Sequence, residues 1–119
     1  MENIILFHNK IVKQTGGSDG IRDLGLIESA LSRGLMTFDG RKLYESLEMK
    51  ISAITHGLIR NHGFVDGNKR IGVAVMILLL KINNIVIRYT QKELIELGLG
   101  VAEGRFNEKD ILAWIESHK

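Results

Sequence analysis

The chain has 119 residues, 45% of them hydrophobic, and its 16 basic and 14 acidic side chains leave a net charge of +2. That composition suits one compact domain spanning 1–119 and excludes the extended basic field that drives nucleic-acid binding. The absence of cysteine excludes a disulfide framework, thiol catalysis and thiolate metal sites, and the absence of proline favours long uninterrupted helices.

Met1 to His8 carries an acid, Glu2, where a secretory signal is basic, and its apolar patch is too short for an h-region. With no cysteine to oxidise, the chain fits a reducing cytosol, and a cytoplasmic location is expected. The most hydrophobic stretch, Ile71 to Leu80, is flanked by Lys69, Arg70 and Lys81. It falls far short of the ~20 apolar residues that span a bilayer and reads as a buried helix.

Ile4, Phe7 or His8, and Ile11 follow helical spacing until the glycine-rich turn Thr15-Gly16-Gly17-Ser18-Asp19-Gly20. Leu24, Ile27, Ala30 and Leu31 mark a short second helix ending near Gly34, followed by a linker, Met36–Lys42, with Asp39-Gly40 as its turn. Leu43, Leu47, Ile51, Ile54 and Leu58 predict a strongly amphipathic third helix running to about Asn61. A fourth helix from Asn68 to Asn83-Asn84 is apolar on every side in its middle and belongs at the centre of the domain. Ile85-Val86-Ile87 is β-branched enough for a short extended segment. Thr90-Gln91-Lys92-Glu93 matches a capping box opening a fifth helix with a diffuse end through Gly98, Gly100 and Gly104, and Asn107 can cap a sixth. The expected fold is therefore all-α, a bundle of about six helices around a central buried one.

The segment that carries chemistry is His62-Gly63-Phe64-Val65-Asp66-Gly67-Asn68-Lys69-Arg70. A helix N-terminus already bears unpaired N–H groups and partial positive charge, so Lys69 and Arg70 in the first turn are unfavourable unless an anion binds there. Gly67 permits close backbone approach, Asn68 offers an amide, and with the two cations they form a candidate cradle for nucleotide phosphates. Asp66 reads two ways, as an N-cap or as a ligand for Mg2+, which commonly bridges one protein carboxylate to phosphates. His62 is the imidazole beside this cradle, suited to accept a proton from a hydroxyl nucleophile, although a lone histidine is usually structural or exposed. Phe64 anchors the loop by burying its ring.

The segment resembles the Fic motif, histidine–proline–phenylalanine–x–acid–glycine–asparagine–glycine–arginine–x–x–arginine. His62, Phe64, Asp66, Gly67, Asn68 and Arg70 fall in register, whereas Gly63 replaces the proline, Lys69 the second glycine and Val73 the final arginine. Those departures resemble the Doc (death-on-curing) branch of the Fic/Doc family. Upstream, His8, Gly16-Gly17, Gly20-Ile21-Arg22-Asp23 and Leu26-Ile27-Glu28-Ser29-Ala30-Leu31 look like the N-terminal half of Doc-like proteins.

The resemblance implies that His62 is the base and Asp66 the magnesium ligand, and that Gly67, Asn68, Lys69 and Arg70 bind phosphate. Fic proteins mostly transfer AMP; Doc toxins, with lysine in the motif, move the γ-phosphoryl group of ATP to a threonine of a translation elongation factor. The resemblance thus implies a kinase-like toxin, with AMP transfer as the alternative within the family, and places a target-docking flap at Met36–Lys42. It also implies an antitoxin partner whose disordered segment folds on binding. The self-inhibitory signature of some Fic proteins is not apparent, because Leu99 precedes Glu103-Gly104 where a hydroxyl residue should stand. A non-catalytic nucleotide-binding domain is the main reading from another class. Nucleic-acid targeting lacks a helix-turn-helix or aromatic platform, and His8, His56, His62 and His118 lack zinc-hydrolase spacing.

Overall fold

In this computed structural model the described residues form six helices: α1 (Glu2–Thr15), α2 (Leu24–Ser32), α3 (Leu47–Arg60), α4 (Asn68–Ile82), α5 (Gln91–Ala102) and α6 (Glu108–Ser117). The structure describes every residue except 1, 19, 34–36, 39–40 and 43–45, and for residues 2, 37–38 and 41–42 the backbone alone. The expected Asp39-Gly40 turn, and Leu43 at the head of the third apolar stripe, lie outside the described residues.

The expected linker at Met36–Lys42 holds a small ribbon. β1 (Thr37–Phe38) pairs antiparallel with β2 (Arg41–Lys42), with Thr37 opposite Lys42 and Phe38 opposite Arg41. Conversely, Ile85-Val86-Ile87 finds no strand partner among the described residues; the chain there is irregular and is tied down by the Arg88 N–H, which donates to the His118 carbonyl at 2.7 Å. β-branched residues favour a strand only when an edge is offered to pair with, and a helical bundle offers none.

Local chemistry sets most helix starts. Asp23 accepts the Leu26 N–H, and Ser46 accepts the Met49 N–H, which starts the described part of the third helix at Leu47. Thr90 with Glu93, and Asn107 with Asp110, form reciprocal capping boxes. α4 differs: its N-cap position is Gly67, at φ 78°, with no side-chain cap.

α3 and α4 are the central pair. Ile51 and Ile59 of α3 meet Met76 and Leu80 of α4, Leu94 and Leu97 of α5, and Ile111 of α6 in one core. Leu58, Ile71 and Val75 meet Ile4 of α1, Ile27 of α2 and the loop residue Phe64 in a second. Burying each such side chain contributes about 1.5–3 kcal/mol, and α4 contributes to both cores, as its all-round apolarity predicts. The covering is not complete, however. Leu78 is 44% exposed, and Val73, Ala74 and Ile77 are only half-buried, so one apolar stripe of the central helix stays open. Among the described residues no helix is long and apolar enough to cross a membrane.

Candidate active site

The loop between α3 and α4 is held from outside by the segment that precedes α2. The Arg22 and Asp23 N–H groups both donate to the Gly63 carbonyl, at 2.8 and 2.9 Å, and the Val65 N–H donates to the Gly20 carbonyl at 2.9 Å. The Arg22 side chain donates to the His62 carbonyl at 2.7 Å and to the Asn61 carbonyl at 3.2 Å. These bonds hold His62 at φ 51°, a left-handed conformation that a non-glycine residue adopts only at a cost of about 1–2 kcal/mol. Its ring is exposed and makes no hydrogen bond among the described residues, so it is free to meet a substrate.

Glycine at position 63 has a steric reason: a Cβ there would collide with Ile27 of α2, which packs directly over the loop. Phe64 follows, 1% exposed and anchored in the second core. The Asn68 side chain closes the loop behind it, accepting the Phe64 N–H at 3.1 Å and donating to the Phe64 carbonyl at 3.0 Å. The structure therefore places the Asn68 side-chain amide inside the loop.

Asp66 lies on the outer side of the loop. Its Oδ1 accepts the Gly67 N–H at 2.7 Å, and its Oδ2 is 3.4 Å from the Ser18 N–H and 3.6 Å from the Arg70 guanidinium. The Gly67 and Ser18 N–H groups, with help from Arg70, hold its pKa below the ordinary carboxylate value. Arg70 also donates to the Gly16 carbonyl at 2.6 Å and to the Thr15 hydroxyl, tying the end of α1 to the motif. Lys69, by contrast, is exposed and has no partner among the described residues. The structure thus gathers Asp66, Gly67, Lys69 and Arg70 at one uncapped helix start, with His62 at the other end of the same short loop.

The glycine turn after α1 forms one wall of this site. Gly17, at φ 109°, packs so closely on Asp66 that a Cβ would overlap the carboxylate and touch the Arg70 guanidinium. His8 of α1 forms the floor. It is fully buried, its ring stacks on Phe64 with centroids 3.8 Å apart, and its Nε2 donates to the Asp66 carbonyl at 2.6 Å. Sequence reasoning placed His8 on the stripe of the first helix and in the family resemblance, but gave it no role at the site. The available signal was its register, one turn from Ile4 on an otherwise apolar stripe, where a buried polar group needs a partner.

A family model described as Fic/DOC family matches residues 1–80. The chain belongs to the Fic/DOC family. Toxin Doc of Mycolicibacterium smegmatis (strain ATCC 700084 / mc(2)155) is 40% identical over 70 residues, covering 59% of this chain and 54% of that relative. The match thus spans about half of the relative's length.

Within this Fic/DOC chain the departures from the motif have structural correlates. Gly63 fits beneath Ile27, and Val73, in the place of the final arginine, is half-buried and faces Gly98 of α5. Among the described residues no three His, Cys, Asp or Glu side chains gather as a metal cage. The Asp66 Oδ2 has only long contacts, to the Ser18 N–H at 3.4 Å and the Arg70 guanidinium at 3.6 Å.

Proposed function

We propose that this chain is a Doc-like toxin of a toxin–antitoxin system, transferring the γ-phosphoryl group of ATP to a side-chain hydroxyl of a protein target. The observation that carries the reading is the uncapped start of α4, where Lys69 and Arg70 add cations to a positive helix end beside the Asp66 carboxylate and the exposed His62 ring. Asp66 offsets part of this positive charge, through the Gly67 N–H and Arg70, and a phosphate-bearing ligand would balance the rest, Lys69 above all.

In the proposed reaction His62 takes the proton of the attacking hydroxyl. The hydroxyl oxygen bonds to the γ-phosphorus while the bond to the β–γ bridging oxygen breaks, and the nucleoside diphosphate leaves. With the Gly67 N–H held by the Asp66 carboxylate, the free N–H groups of the first turn of α4, from Asn68 on, bind phosphate, and Lys69 and Arg70 stabilise the charge that shifts during transfer. Asp66 holds Mg2+, which, when bound, neutralises phosphate charge. Asn68 and Phe64 keep the loop in shape. The β1–β2 ribbon is the proposed flap for the target segment, and similarity to Doc toxins suggests a translation elongation factor in the cytoplasm as that target.

The antitoxin partner has a candidate surface. Two depressions of about 140 and 300 Å³ share Leu94 and run along the open stripe of α4 beside α5, and a third of about 400 Å³, lined by α1 residues, joins the second at Phe7. Their apolar floor is bordered by Lys10, Lys13, Lys69, Arg70 and Lys81, and no acid lines them among the described residues. In a chain whose charges nearly balance, that bias suits an amphipathic helix with an acidic rim, and its Lys69 end would cover the phosphate cradle.

Incubation with candidate translation factors and magnesium-ATP, followed by intact-mass measurement of the factor, separates phosphate addition, AMP addition and no reaction. Addition of a phosphate is expected. Addition of AMP would favour the other Fic chemistry, and no modification of any protein would leave a nucleotide-binding regulatory domain.

A further inference from the structure

We propose that His8 is a positioning residue for this site: from the floor of the loop its Nε2–H fixes the Asp66 backbone and so directs the Asp66 carboxylate. For its effect on ligand affinity the inference rests on the reading of Asp66 as the magnesium ligand. The geometry is specific. Nε2 lies 2.6 Å from the Asp66 carbonyl oxygen, which can only accept, so the proton sits on Nε2. Nδ1 is then a bare acceptor, buried and without a hydrogen-bond partner among the described residues. Leaving a buried acceptor unpaired is costly, and an apolar ring would pack on Phe64 as well, so packing alone does not explain an imidazole here. The imidazole is the aromatic ring that both stacks on Phe64 and delivers an N–H to the loop.

Asp66 shows why that N–H matters. Its side chain bridges the Gly67 N–H and the Ser18 N–H, and the carboxylate direction therefore depends on where the peptide between Asp66 and Gly67 sits. Gly67 itself is at φ 78° and lies against His8 closely enough that a Cβ would stand 3.2 Å from Nε2. The His8 bond pins this peptide from inside, whereas the Ser18 N–H and Arg70 approach the carboxylate from outside. A partner that orients a metal-binding carboxylate typically changes metal affinity by about 10–100-fold without touching the ion.

The test uses the full chain as the wild type and with two separate substitutions. His8→Phe keeps the stack and removes the N–H; His8→Gln returns an N–H donor and gives up the stack. Long-range proton–nitrogen NMR on the wild type reports the His8 tautomer, the Gly67 amide proton reports the Asp66–Gly67 geometry, and calorimetry with ATP reports affinity with and without Mg2+. Expected are an Nε2–H tautomer, a folded His8→Phe with a displaced Gly67 amide and about 10–100-fold weaker magnesium-dependent ATP binding, and substantial recovery in His8→Gln. An Nδ1–H tautomer, an unmoved Gly67 amide in His8→Phe, or equal losses in both variants overturns the proposal. If the wild type binds ATP without regard to Mg2+, the reading of Asp66 fails instead, and the tautomer and Gly67 amide still decide the role of His8.

Discussion

Asn68 and Phe64 are joined by two hydrogen bonds, side-chain oxygen to backbone N–H at 3.1 Å and side-chain amide to backbone carbonyl at 3.0 Å, both in the buried interior of the motif loop. This reciprocal pair leaves Phe64 no freedom to shift relative to the first turn of α4. Asn68→Ala should destabilise the fold by about 1–3 kcal/mol for each backbone group left unpaired, and Asn68→Asp should fail to restore it, because a carboxylate cannot donate to the Phe64 carbonyl. Urea titration of both variants checks this; an alanine variant as stable as the wild type would remove the loop-closing role.

His62 lies in the left-handed region with an exposed ring, so its substitution separates chemistry from folding. His62→Ala and His62→Asn should both lower transfer by about 10²–10⁴-fold while leaving nucleotide affinity near the wild-type value. Asparagine tolerates positive φ better than alanine, so the Asn variant should be the more stable of the two. Parallel melting curves and turnover measurements test both halves; full activity in either variant would take His62 out of the mechanism.

The proposed partner surface predicts a charge effect remote from the chemistry. Lys10→Glu with Lys81→Glu changes the border of the trough without touching the loop. The double variant should still modify its target and still arrest growth, yet escape neutralisation by its co-expressed antitoxin. Neutralisation equal to that of the wild type would rule this surface out.

Much of this was legible in the sequence because helix signals are local. The Thr90 and Asn107 caps, the stripe of α3 and the apolar middle of α4 each need only neighbours in the chain to be interpreted. The motif also reads as a unit, since a loop and the helix start after it are contiguous. What stayed hidden depends on contacts between distant segments. Nothing local to Asn68 says that its amide turns inward to Phe64, and Asp66 meets His8 and Ser18 across separations of 58 and 48 residues. The open stripe of α4 was invisible for the same reason: apolar residues all round a helix show that it is central, but which face its neighbours leave bare is decided by how they pack.

A second set of titrating groups lies at the far end of the bundle. His118 stacks on Trp114 with ring centroids 4.0 Å apart; its Nε2 faces Glu93 at 2.8 Å and its Nδ1 faces the Trp114 carbonyl at 2.6 Å. Both partners accept, so the imidazolium satisfies both bonds. Partial burial draws the His118 pKa down, but Glu93 and the Trp114 carbonyl outweigh it and the net shift is upward. A raised folded-state value means stability that is fully present below about pH 6.5 and is lost as pH rises through the higher folded value. His56 works the other way, since burial lowers its pKa, so the variant must be compared with the wild type at each pH. His118→Phe keeps a ring on Trp114 and should lose stability mainly on the acid side, reducing the advantage of about pH 5.5 over about pH 8.5. Equal losses at both values would show that the ion pair contributes nothing.

Lys69 bears on which group is transferred. It is exposed in the first turn of α4, where the Fic motif has glycine, and its charge occupies space that glycine would leave open to phosphate. Four residues on, Val73 stands in place of the motif's final arginine and packs toward Gly98, its Cγ1 3.3 Å from where a Cβ on Gly98 would lie. The site therefore has one extra cation at its mouth and one fewer along the helix than the Fic motif, and the proposed kinase reading predicts which phosphate of ATP is transferred. With ATP labelled at the γ-phosphate, the wild type should mark its protein target; with label at the α-phosphate, it should not. Lys69→Gly should reduce γ-label transfer without creating efficient AMP transfer, because Val73 cannot supply the arginine contact. Adding Val73→Arg places a long side chain into the contact between α4 and α5, so stability must be measured alongside labelling. Exclusive α-label incorporation by the wild type would overturn the kinase reading and leave the Fic/DOC membership intact.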